Sequence, residues 1–310
     1  FILILGVIVL VHEFGHFLFA KIFHIYVYEF SIGMGPKIFG KRRKNKNDET
    51  EYCIRAIPIG GFVSLAGEEV DDDTEVPKDR KLFAKKPWQR FLVMFFGAGF
   101  NFIFASLLLF MIALIWGAPD TTSRFTEVEV GLPAYEAGLR DGDIVTSVNG
   151  KKVSTLDDLA IYMQLADKTK AIEIGVERNG EEQIFSVVPE KQEIDGETTY
   201  KIGVLMGSTE TKRGLGESIH YMFVKTGSLF KQMFITIKGL FTGGIGIDQL
   251  SGPVGIFSIV GEQRQTGFEN VLYLVALLSI NVGVINLLPL PAFDGGRILF
   301  LLIEKIKGSP

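Results

Sequence analysis

Cysteine is almost missing from this chain of 310 residues: Cys53 stands alone, so no intrachain disulfide can form. A lone thiol is also a poor basis for a metal site. Positive charge is not in excess either. The formal net charge is −4, which gives no support to a general affinity for nucleic acid. Charge of either sign is absent from Phe91 to Trp116, and Val271 to Pro291 is polar only at Ser279, Asn281 and Asn286. Phe1 to Ile22 is apolar apart from His12, Glu13, His16 and Lys21. Its start lacks the basic region and small-residue cleavage site of a signal peptide, so the segment reads as a membrane helix.

What is present is apolar surface. Hydrophobic residues make up 47% of the chain, and the mean hydropathy is +0.28. Crossing a hydrocarbon core of about 30 Å takes roughly 20 apolar residues, which each of the three runs approaches or exceeds. Core helices of a large soluble protein are the other reading, but uncharged runs of this length favour the membrane. A short apolar run, Ile298 to Ile303, precedes Lys305 and Lys307. Residues 37–90 carry thirteen Lys and Arg, among them Lys41, Arg42, Arg43, Lys44 and Lys46. The positive-inside rule puts this loop in the cytoplasm. The first helix then runs inward, the second outward and the third inward, with 120–270 extracytoplasmic.

Within that large loop, Phe125 to Val130, Ala171 to Arg178 and Gln183 to Val188 alternate like strands. Asn149-Gly150 and Asn179-Gly180 are tight-turn signals. Thr155 to Leu165 reads as a helix capped by Ser154 or Thr155, with Asp157 and Asp158 in its first turn. Ala137 to Val145, followed by Val148-Asn149-Gly150, resembles a PDZ domain covering 121–206. Such domains add an extended peptide to a sheet edge, although the usual carboxylate-binding loop is not evident here. A passive size filter is the other reading. Residues 214–240 are amphipathic: Ile219, Met222, Phe223, Phe230, Phe234 and Ile237 recur on a helical period. Lys225, Lys231 and Lys238 argue against a span. The pattern fits a helix lying on the membrane surface or one packed on its own protein.

Chemistry concentrates in the first helix. His12-Glu13-Phe14-Gly15-His16 is an H-E-x-x-H pattern, and histidines at i and i+4 share a helix face, so both imidazoles can reach one zinc ion. Glu13 beside them can take a proton from water that zinc has acidified. Ionisable residues inside an apolar helix are rare and usually functional. A structural polar cluster is the plainer alternative. His24 and His220 lack a ligand spacing. Catalytic zinc takes three protein ligands and keeps one position open. Asp294 is the candidate for the third, in Asn286-Leu287-Leu288-Pro289-Leu290-Pro291-Ala292-Phe293-Asp294-Gly295-Gly296. The prolines interrupt the helix, the glycines allow close backbone approach, and zinc would compensate a buried aspartate. Asp294 could also cap a helix over 295–305.

The H-E-x-x-H helix, the N-x-x-P-x-P-x-x-D-G-G segment and the PDZ-like stretch between them together resemble the site-2 protease family of intramembrane metalloproteases. The bacterial regulators of sigma factors are the nearest branch. The resemblance implies that His12, His16 and Asp294 hold zinc, that Glu13 is the catalytic base, and that Asn286 binds substrate or stabilises the oxyanion. Arg55 to Gly67 matches the family's membrane-dipping β-hairpin, which offers a strand edge at Gly61, Phe62, Val63 and Ser64. Gly97-Ala98-Gly99-Phe100-Asn101 matches a second-helix motif in which Ala98 replaces the usual Pro, with Asn101 as a further substrate contact.

The expected architecture is a multi-pass α-helical membrane protein with an inserted extracytoplasmic PDZ domain of α+β type and a membrane-associated β-hairpin. Its parts are a first membrane helix (1–22), a cytoplasmic loop with the hairpin (23–90), a second helix (91–118), the PDZ domain (121–206), an amphipathic surface region (207–270) and a third helix with its motif (271–310). Family members carry a further membrane helix beyond that point, so the resemblance implies a longer parent chain. The implied partners are transmembrane substrates such as anti-sigma factors or signal-peptide remnants, and the lipid bilayer of the bacterial cytoplasmic membrane. A metal or proton transporter would also place His and Asp in the membrane, but needs neither Glu13 nor a PDZ domain. An inactive scaffold presenting the PDZ domain would not need an intact Glu13.

Overall fold

The computed structural model describes residues 1–42, 49–68, 75–194, 197–207, 211–243 and 267–307. Arg43, Lys44 and Lys46 of the basic loop, and the amphipathic region over 244–266, lie outside the described residues. In chain order the structure runs α1 (Ile2–Ile22), β1 (Val27–Arg42), β2 (Glu51–Leu65), α2 (Pro87–Trp116), β3 (Ala118–Pro119), β4 (Phe125–Val128), α3 (Pro133–Glu136), β5 (Ile144–Val148), β6 (Lys151–Lys152) and α4 (Leu156–Leu165). It continues with β7 (Ile172–Arg178), β8 (Glu181–Val187), β9 (Glu190–Ile194), β10 (Glu197–Lys201), β11 (Val204–Met206), β12 (Thr211–Lys212), α5 (Leu215–Thr242), α6 (Phe268–Asn286) and α7 (Asp294–Lys307). Two compact units result, one of 1–108 with 252–310 and one of 109–251.

Among the described residues, α1, α2 and α6 are the helices long and apolar enough to cross a membrane. They coincide with the three apolar runs of the sequence. In the first unit Ile8 packs with Leu274, Val275 and Leu278, joining α1 to α6. Ala20, Ile25, Val27, Leu65, Val93 and Met94 form a second cluster where α1, the strands and α2 meet. Outward-facing Leu3, Val7, Leu107 and Ile115 remain exposed. Apolar side chains projecting all round a helix of this length fit a lipid surround.

The hairpin expected over 55–67 is instead the latter part of β2, which pairs with β1, and each of these two strands serves two neighbours. Residues 29–32 pair with 51–54 on one side and 61–64 on the other, while 51–55 also pair with 37–42. The segments therefore lie in the order 37–42, 51–55, 27–32, 61–65, and among the described residues 61–65 is an edge. Gly61 is required there: a Cβ would overlap the Ser31 carbonyl.

The second unit holds the stretch 121–206 whose sequence resembles a PDZ domain. β6-β5-β7-β8 form one sheet and β11 pairs with β4. The inward residues of these strands, Phe125, Val145, Val148, Ile174, Val176 and Val187, close a core with Leu139 and Leu159. The two Asn-Gly turns are realised with φ of 47° and 72° at Asn149-Gly150 and 54° and 83° at Asn179-Gly180, the left-handed pair that a tight hairpin demands. Thr155 caps α4 by accepting from the Asp158 N–H at 3.2 Å. Ser154, the other candidate, instead donates its N–H to Asp158 at 2.9 Å, the returning half of the cap. β3 pairs with β12, so the end of α2 and the start of α5 lie side by side.

Candidate active site

α1 presents His12, Glu13 and His16 at a point where it touches α2 through glycine. A Cβ on Gly15 would overlap the Phe96 carbonyl, and one on Gly97 would overlap the His16 ring. The crossing is thus backbone against backbone, which brings the imidazoles under α2. His16 Nδ1 lies 2.8 Å from the Val93 carbonyl. Donation to that carbonyl fixes the tautomer and leaves Nε2 with a lone pair directed inward.

Asp294 arrives from the other end of the chain. α6 stops at Asn286, where Pro289 and Pro291 cannot continue it. α7 starts at Asp294, with Gly295 and Gly296 pressed against the Leu287 and Leu290 carbonyls so closely that neither position has room for a Cβ. That tight return carries the Asp294 carboxylate to the histidines.

The three side chains converge. Asp294 Oδ2 lies 3.1 Å from His12 Nε2 and 3.2 Å from His16 Nε2, and the two Nε2 atoms are 3.1 Å apart. All three residues are buried. Two imidazole nitrogens and a carboxylate oxygen facing one another at such distances lack donors enough to satisfy them all. Ligand atoms on a tetrahedral zinc at about 2.0–2.1 Å stand roughly 3.3 Å apart, so the donor set fits zinc in chemistry and in spacing.

Glu13 does not join this triangle. Its Oε2 accepts from the Val63 main-chain N–H at 3.1 Å. A cavity of 410 Å³ opens beside these groups, bordered by Phe62 and Val63 of the edge strand, by Asn286 at the end of α6, and by Arg297 and Glu68. Arg297 and Glu68 are ion-paired. Gly61 and Ser64 do not border the cavity. Asn101 is also away from it: the residue is fully buried, and its carbonyl accepts from Ser279 Oγ at 3.0 Å between α2 and α6. His24 and His220 are exposed and outside the cavity. Sequence reasoning did not reach the Val93 carbonyl, a main-chain group with no signature, or the Arg297–Glu68 pair. Arg297 follows the glycine pair directly, which was the available signal.

The sequence model of peptidase family M50 matches residues 1–310. A Fusobacterium nucleatum protein named as a zinc metalloprotease is 38% identical over 98% of this chain and 87% of its own length. The regulator of sigma-W protease RasP of Bacillus subtilis is 31% identical over 100% of this chain and 90% of its own, and a protein of Enterococcus faecalis named as the protease Eep is 33% identical over the same shares. Among solved structures, a PDZ domain of an SdrC-like protein from Listeria monocytogenes overlaps 28% of this chain and 88% of its own at 17% identity, with a TM-score of 0.24, too low to bear on the fold. With its whole length matched, the chain belongs to peptidase family M50 and is an intramembrane zinc metalloprotease.

Proposed function

We propose that His12, His16 and Asp294 hold the zinc ion, that Glu13 is the general base, and that the enzyme cuts membrane segments of other proteins, anti-sigma factors among them. The observation that carries the ligand set is the triangle of donor atoms 3.1–3.2 Å on a side. Zinc, when bound, acidifies water and polarises the scissile carbonyl. Glu13, next in sequence to a ligand, takes the proton from the attacking water and returns it to the leaving amine. Asn286, at the cavity wall, is the candidate to steady the substrate carbonyl.

A membrane helix hides its own peptide bonds, because each N–H and C=O is paired within the segment. The substrate must unwind locally. The edge strand 61–65, through Phe62 and Val63 at the cavity, is the surface on which the freed backbone re-pairs. The chain crosses the bacterial cytoplasmic membrane several times in this reading, with the active site opening toward the basic cytoplasmic loop and the PDZ-like module outside, where it filters substrates by size or binds them. α5 lies on the membrane surface. At 100° per residue, Leu215, Ile219, Phe223, Phe234 and Phe241 fall within about 100° of arc, and all are exposed. The other side of the helix meets the start of α4 through Ser228, whose Oγ lies 3.0 Å from Thr155 Oγ1, and through Lys225, whose Nζ donates to Asp157 at 2.7 Å.

The test of the ligand set is Asp294→Ala in purified protein supplied with a membrane-segment substrate. Zinc and cleavage should be lost together, as they should in wild type on chelation. A fully zinc-loaded Asp294→Ala protein would sink the assignment.

A further inference from the structure

The Val63 N–H sits where two roles meet. Among the described residues, strand 61–65 pairs with 27–32 on one side only, with Phe30 opposite Val63. In such a pairing alternate N–H groups face away from the partner strand. That of Val63 faces away, and its acceptor is Glu13 Oε2 at 3.1 Å. A substrate strand adding to this edge at the cavity needs the same N–H, and one hydrogen cannot serve both acceptors well.

Resting on the edge-strand reading above, we infer that the Val63 N–H is a shared donor: it holds the Glu13 carboxylate while the site is empty, and a substrate strand takes it over, freeing Glu13 as the scissile amide arrives. Val63 is then a positioning residue acting through its backbone. The exchange replaces one hydrogen bond by another, so a pairing strand loses little, whereas a ligand that does not pair leaves the base tethered. The Arg297–Glu68 pair borders the same cavity but touches neither group, so it takes no part in this exchange.

The test compares Glu13→Gln with Glu13→Ala, both uncharged and both without the base. Glutamine still offers an oxygen to the Val63 N–H, and alanine offers none. The probe is an end-capped fluorescent hexapeptide of alternating valine and leucine, titrated against zinc-loaded full-length chain in lipid nanodiscs. The alanine variant should bind it about three- to tenfold more tightly than the glutamine variant, the scale of one exchanged hydrogen bond. The difference should vanish when Val63→Pro is added to both. Equal affinities without the proline, or a difference that survives it, overturns the shared-donor inference. The edge-strand reading fails separately, if Val63→Pro in otherwise wild-type protein binds the probe as tightly as its parent. Zinc stoichiometry in every variant shows that the site has folded.

Discussion

Gly97 stands so close to His16 that a Cβ added there would overlap Nε2, with His12 Cε1 at 3.0 Å. The glycine is a spatial requirement of the proposed metal site, since any side chain would displace the nitrogen that faces Asp294. Gly97→Ala should weaken zinc binding at least tenfold without altering a single ligand. Gly99→Ala is the control, because its Cβ would meet only Phe side chains, the nearest at 3.0 Å. Zinc retained after dialysis against a weak chelator reads the difference. Equal retention in the two variants would place the glycine requirement elsewhere.

A proline scan of the edge strand should give an alternating result. Val63→Pro removes a donor that faces the cavity and should lower cleavage roughly tenfold with zinc intact, the scale of one backbone bond. Phe62→Pro and Ser64→Pro remove donors turned toward residues 29–31 and should loosen the sheet itself, seen as faster hydrogen exchange across β1. Val63→Ala should cost little. If the segment were an anchor held by apolar side chains, Val63→Ala would be as harmful as Val63→Pro.

β3 and β12 pair, so the ends of the PDZ-like module lie together and excision of 121–206 leaves a short gap to close. The shortened protein should keep its zinc and its cleavage of a bare membrane segment, and should gain substrates with bulky outer domains. Zinc-loaded protein that cuts nothing would show that the module does more than filter.

Asp143 is a buried carboxylate held by Arg178, whose Nε donates to Oδ1 at 2.7 Å and Nη2 to Oδ2 at 2.7 Å. Asp143→Ala would remove the guanidinium's charged partner and leave it the Gly138 carbonyl and the Phe185 ring, at a cost of about 2 kcal/mol. Hydrogen exchange over β7 and β8 should speed up accordingly, with zinc unchanged. Unaltered exchange would mean that Arg178 finds another partner.

Residues His12, Glu13 and His16 were legible because their spacing and chemistry are local, one helical turn in an apolar run. Asp294 was legible because prolines and glycines around a buried acid signal broken backbone. The Asn-Gly turns and the Thr155 cap were likewise written in short segments. The four-segment sheet was not, because residues 29–32 pair with both 51–54 and 61–64 and the sequence shows only that each stretch can be extended. Asn101 looked like a substrate contact by motif, yet its burial against α6 depends on a helix crossing that no short window encodes. The link from Glu13 to the Val63 backbone was hidden for the same reason: a main-chain donor carries no side-chain signature.

The most direct measurement is zinc content alongside cleavage in Glu13→Gln. Glu13 bonds to Val63 and stands outside the triangle of His12, His16 and Asp294. Purified Glu13→Gln should therefore hold one zinc per chain, as wild type should, and cleave a membrane-segment substrate at least a thousandfold more slowly, the order lost with an essential proton-transfer group. Zinc lost together with activity would make Glu13 a ligand, and cleavage kept would remove it from the chemistry; either result contradicts the account.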